Sequence, residues 1–64
     1  MGNRVRDLRK QAGMTQQKLA EAAGIGRVTL VRIENGSYSP RFRTLDALAN
    51  ALNRPVAHLL LDDA

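Results

Sequence analysis

Residues 14–36, MTQQKLAEAAGIGRVTLVRIENG, restrict what this chain can become more than any other stretch. They read as two short helices joined by a turn that bears Gly24 and Gly26. Thr15 is an N-cap candidate for the first helix, with Leu19, Ala20 and Ala23 as its buried stripe. Gly24 ends it because a residue without Cβ enters left-handed backbone at no steric cost. Gly26 is a permissible, weaker cap for the second helix, over 27–35, and Asn35-Gly36 closes it.

The flanking segments continue the helical pattern. Asn3 can cap a helix over 4–12, where Val5, Leu8 and Ala12 recur at spacings of three and four and Gly13 supplies the stop. After the turn Ser37-Tyr38-Ser39-Pro40, a fourth helix runs to about residue 52. Its stripe of Phe42, Leu45, Leu48, Ala49 and Leu52 is the strongest periodic signal in the chain. Asn53-Arg54 breaks it, and Pro55 suits the first position of a fifth helix over 55–61, where its missing N–H costs nothing. Val28, Thr29, Val31 and Ile33 are β-branched but lie between helix caps. The expectation is an all-α, five-helix fold in a single domain, 1–64, with a short acidic tail at 62–64.

A chain of 64 residues sits near the lower limit for folding without staples, so a partner subunit would help. Cysteine is absent, which leaves a hydrophobic core as the source of stability and agrees with a reducing, cytoplasmic location. Ten Lys and Arg oppose six Asp and Glu, a net charge of +4, and two of those acids, Asp62 and Asp63, belong to the tail. The remainder is more basic still, which suits a polyanionic partner. No apolar run is long enough for a membrane span, and Arg4, Arg6, Arg9 and Lys10 occupy the place of a signal's apolar stretch.

The third helix has two distinct sides. At about 100° per residue, Leu30 and Ile33 lie within about 60° of each other and define its buried edge. Val28, Val31 and Arg32 then face outward, joined by Arg27 from the first turn. On a helix laid in the major groove, arginine offers two parallel donors to guanine O6 and N7, and valine can pack on a thymine methyl group. Arg27, Val28, Val31 and Arg32 are therefore the candidate base readers of double-stranded DNA. Each taken alone would read as an ordinary surface residue. Gln16, Gln17, Asn35, Arg41 and Arg43 are candidate phosphate contacts, which position a protein on the duplex without reading sequence.

Other chemistries find little support. His58 is the single histidine and has no ligand set around it beyond Asp62, so it reads as a surface residue and no metal site is expected. Gly24-Ile25-Gly26 follows no strand and lacks the third glycine of a dinucleotide fingerprint. Asp7, Glu21, Glu34 and Asp46 are dispersed over separate helices, and no nucleophile and base pair can be assembled. Neither catalysis nor a cofactor is expected, and no small-molecule ligand is evident.

With these residues placed, the chain resembles the phage repressor and Cro type of helix-turn-helix protein, also called the xenobiotic-response-element family. The resemblance covers roughly residues 4–60. It is carried by Arg6-x-Leu8-Arg9, Thr15-Gln16-x-x-Leu19-Ala20, Gly24-Ile25, Ile33-Glu34-Asn35-Gly36 and Pro40-x-Phe42-x-Thr44-Leu45 leading to Leu52. It implies a repressor-like fold in which Gln16 looks toward a phosphate and helps orient the next helix. It also implies that Arg27, Val28 and Arg32 face bases, that Asn35 and Arg41 hold the backbone, and that Arg9 pairs with Glu34. Two positions depart from the pattern: Gly26 and Arg41 stand where the family usually carries side-chain caps.

Leu59, Leu60 and Leu61 span about 200° of a helix, more than one small core can cover, so at least one must protrude. Ala51 and Val56 extend that patch, which suits a self-complementary homodimer contact setting two third helices about 34 Å apart, one DNA turn. The function implied is a sequence-specific transcriptional regulator, leaning to a repressor, on a pseudo-palindromic operator. The alternative is an antitoxin-like interaction module whose terminal leucines bind a second protein.

Overall fold

The computed structural model describes the backbone of residues 2–60 and the side chains of residues 4–60. Leu61 and the acidic tail 62–64 lie outside the described residues. Within them the elements are α1 (Gly2–Gln11), α2 (Gln16–Ala23), α3 (Arg27–Asn35), α4 (Phe42–Ala51) and α5 (Val56–Leu60), and no strand is present among the described residues. The all-α, five-helix expectation holds.

The boundaries follow local chemistry. α1 begins at Gly2, ahead of expectation, so Asn3 lies inside the helix and not at its cap. Thr15, in extended backbone at φ −79° and ψ 164°, accepts the Lys18 N–H at 3.1 Å on its hydroxyl and so caps α2. At the other end Gly24 adopts φ +70° while its N–H and that of Ile25 return to the carbonyls of Glu21 and Ala20, at 3.2 and 3.0 Å. The same pair of returning bonds ends α3, where the N–H of Gly36 reaches Ile33 and that of Ser37 reaches Arg32. It recurs after α4, where Asn53 takes the left-handed backbone at φ +58°. Pro55 precedes α5 and does not occupy its first position; its carbonyl accepts the His58 N–H at 2.9 Å.

The core gathers one apolar edge from every helix: Val5 and Leu8, Leu19 and Ala20, Leu30 and Ile33, Leu45, Leu48, Ala49 and Leu52, and Leu59. Met14, Ala23, Ile25, Ala51 and Val56 pack against it from the rim. α1 lies against α3 and α5, α2 against α3 and α4, and α4 against α5. This arrangement holds α3 from behind by its Leu30–Ile33 edge and leaves its other side uncovered.

Three expectations need correction. Ala12 is exposed because α1 stops at Gln11 and the chain has already turned. Phe42 shares the row of Leu45 yet is 62% exposed, because it stands at the first turn of α4, where the row runs past the end of the core. His58 is half-buried and not a surface residue; its Nδ1 is shut off from water without a hydrogen-bond partner, and its carbonyl accepts from Arg4 Nε at 2.8 Å.

Candidate nucleic-acid interface

The candidate interface is built on the outer side of α3. Leu30 and Ile33 are wholly withdrawn from solvent, at 0% and 1% exposure, which rotates Arg27, Val28 and Arg32 into the open and leaves Val31 half-buried beside them. Val28 is 66% exposed, a large apolar surface that the fold itself does not use. A groove of about 530 Å³ runs along this side, lined by Arg27, Val28, Val31 and Arg32 together with Gln17 from α2. The four candidate base readers and one candidate phosphate contact are thus brought to one concave surface.

What fixes the angle of α3 is a buried polar network at its far end. Arg9 on α1 donates from Nε to Glu34 Oε2 at 2.8 Å and from Nη2 to Oε1 at 3.2 Å, and from Nη1 to the Met14 carbonyl at 2.9 Å. The two side chains are 11% and 1% exposed. The forked guanidinium satisfies both carboxylate oxygens in parallel, the geometry in which a desolvated pair holds its position most firmly. The pairing implied by the family resemblance is therefore present. Gln16 joins it, donating from Nε2 to Glu34 Oε1 at 3.2 Å. α1, the start of α2 and the end of α3 are locked together through one carboxylate.

The remaining candidates fall at the edges of this surface. Gln17 is exposed and donates from Nε2 to Glu21 Oε2 at 3.0 Å, one turn along α2. Asn35 is the exposed last residue of α3; Arg41, at φ −73° and ψ 163°, is the exposed N-cap residue of α4, and Arg43 is exposed in that helix's first turn. Neither Gly26 nor Arg41 caps its helix through a side chain, so the first amides of α3 and α4 are left for water or an anion. No group of His, Cys, Asp or Glu suited to a metal ion occurs among the described residues.

The leucine patch is smaller than expected. Leu59 is corrected from a partner contact to a core residue, at 0% exposure, because α5 turns it inward between α1 and α4. Ala51 and Val56 are half-buried against the same core. Leu60 is 50% exposed and one helical turn from Val56, and Leu61 lies outside the described residues. Sequence reasoning passed over Tyr38 and Thr29, which with Arg32 line a second cleft of about 210 Å³ beside α3. Tyr38, in the turn after α3, was the available signal, an aromatic ring between serines with no periodic stripe to join.

The helix-turn-helix family matches residues 5–59. A helix-turn-helix transcriptional regulator of Archaeoglobus fulgidus is 36% identical over 98% of this chain and 90% of its own length. The CTXphi transcriptional repressor RstR of Vibrio cholerae is 33% identical over 94% of this chain, and the immunity repressor of Bacillus phage phi105 is 38% identical over 94%. The chain spans 54% and 42% of those two repressors. Among solved structures, the restriction-modification controller protein C.AhdI of Aeromonas hydrophila superposes with a TM-score of 0.89 at 31% identity, over 91% of this chain and 88% of that one. SinR, solved in complex with SinI, superposes at 0.86 with 33% identity, over 97% and 60%. The chain belongs to the helix-turn-helix family, as a DNA-binding protein of the phage repressor and Cro type.

Proposed function

We propose that this protein represses transcription by occupying a pseudo-palindromic operator as a homodimer, with α3 in the major groove. The observation that carries the reading is the split of α3 into a fully buried Leu30–Ile33 edge and an exposed edge of Arg27, Val28 and Arg32 along a groove. Arginine there donates to guanine, and the valines pack on thymine methyl groups. Gln17, Asn35, Arg41 and Arg43 anchor the strand backbone, and Gln16 offers its second amide hydrogen while the first holds Glu34.

Dimerisation rests on Leu60 with the exposed parts of Val56 and Ala51. Two-fold symmetry would then set the α3 helices about 34 Å apart, matching two half-sites on one face of the duplex. Repression follows most simply from occupancy, since a bound dimer blocks access to the DNA it covers.

Selection of bound fragments from random DNA, followed by titration across salt, tests this reading. A repeated half-site motif in the selected fragments and a steep loss of affinity with salt are expected. Recovery of no motif, with equal affinity for all duplexes, would overturn it. The exposed Leu60 also favours a second reading, in which this face binds a different protein; a purified chain that sediments as a monomer and binds no duplex would favour that one.

A further inference from the structure

The groove on the outer side of α3 holds more chemistry than two guanine-reading arginines require. Of the side chains that line it, Arg27 and Arg32 can only donate hydrogen bonds, and Val28 and Val31 make none. Gln17 alone among them can accept. Its Nε2 is held by Glu21 Oε2 at 3.0 Å, one turn along α2. Because a carboxylate accepts, the nitrogen end of the Gln17 amide turns to Glu21 and the Oε1 end is left over, accepting no hydrogen bond among the described residues. The groove thus combines two forked donors, an apolar surface on which Val28 is 66% exposed, and a single side-chain acceptor.

Base edges in the major groove sort against this set. Guanine presents two acceptors, O6 and N7, to an arginine fork. Thymine presents a C5 methyl group beside an acceptor, O4, whereas cytosine presents a donor, the N4 amino group, and no methyl. Packing on valine therefore favours thymine, and the Gln17 oxygen favours cytosine. Adenine, the other base with an amino donor in this groove, has no methyl group to set on the valines. One pyrimidine meets both demands: cytosine methylated at C5 carries the methyl group of thymine and the amino group of cytosine. Followed by guanine, it engages all three parts of the groove.

We infer that the outer side of α3, together with Gln17, reads a 5-methylcytosine–guanine step, so that methylation of the operator strengthens binding. Val28 and Val31 cover the methyl group, Gln17 Oε1 accepts from N4, and an arginine of the groove holds the guanine. This rests on the DNA-binding reading above and deepens it by naming a chemical mark on the DNA. Gln17 becomes a base reader in place of the strand anchor described above, and Glu21 acts through it as a positioning residue.

The test runs selection with the full chain on random duplexes, pooled equally with and without C5 methylation of their cytosine–guanine steps. Methylated fragments carrying one such step in each half-site are expected to be enriched. At that step 5-methylcytosine should bind about fourfold tighter than cytosine, the worth of one buried methyl group, and tighter than thymine as well. Val28→Ala should erase the gain from the methyl group. Gln17→Ala should erase the preference over thymine and leave affinity for random DNA unchanged. Both side chains are exposed, so thermal unfolding of either variant should match the parent. Glu21→Ala frees the amide to turn its nitrogen toward O4, and should lower the ratio of affinities for 5-methylcytosine and thymine, from which any uniform effect of the lost charge cancels.

Equal recovery of methylated and unmethylated fragments would overturn the inference, and so would a methyl gain that survives in Val28→Ala. Equal loss on operator and random DNA in Gln17→Ala, the mark of a strand anchor, would overturn it too. Each of these results leaves the parent protein's salt-dependent operator binding standing. Failure of the parent to bind any duplex would overturn both this inference and the function on which it rests.

Discussion

At the scale of single residues, the proposed interface divides into side chains assigned to read and side chains assigned to hold. Arg32→Ala is expected to cost about 1–3 kcal/mol on the operator and to relax preference at one base position, whereas Arg41→Ala should weaken all sequences alike. Parallel titrations on operator and random duplexes separate the two outcomes. Glu34 plays a different part, since at 1% exposure it anchors a guanidinium that is itself nearly buried. Glu34→Leu strands that charge and should cost about 3 kcal/mol in urea unfolding. Adding Arg9→Met should recover most of the loss, because an apolar pair of similar volume removes the uncompensated charge.

At the scale of elements, α2, α3 and α4 end on the same left-handed turn, whereas their N-termini are capped differently. A Cβ at Gly24 would meet nothing within 4 Å, yet φ there is +70°, so Gly24→Ala pays backbone strain alone, about 1 kcal/mol. Gly26 presents the opposite case. Its φ of −71° suits any residue, a Cβ there finds only the Thr29 hydroxyl at an ordinary 3.8 Å, and no side chain caps α3. Gly26→Ser should therefore raise stability by a few tenths of a kcal/mol, read from paired thermal melts. The N-terminus of α3 thus lacks the side-chain cap that the simplest substitution would supply.

At the scale of the whole molecule, a small core and a basic surface share the work. The core takes an edge from each helix, and among the described residues the large apolar side chains left exposed are Val28, Tyr38, Phe42 and Leu60. Leu60→Glu places a carboxylate in the proposed two-fold contact and should yield monomers in sedimentation that bind a half-site weakly. An unchanged dimer mass would remove that contact from the account. The fold, in contrast, should survive this change, because Leu59 and not Leu60 closes the core.

How much of this was legible before folding depended on the range of the interaction. Helix starts and stops are local: the Thr15 hydroxyl bond and the left-handed Gly24 and Gly36 involve residues within about one turn, so the chain's own order dictates them. The orientation of α3 was legible for the same reason, since Leu30 and Ile33 share an edge by spacing alone. Depth and closure were decided only in three dimensions. Nothing in a run of three leucines says which one the neighbouring helices will cover, and packing of α5 on α1 and α4 chose Leu59. Periodicity likewise could assign Phe42 to a row but not tell where the core beneath that row ends. The cleft of Thr29, Arg32 and Tyr38 joins a helix to the turn that follows it, and its shape comes into being only when Ser37 folds back on the Arg32 carbonyl.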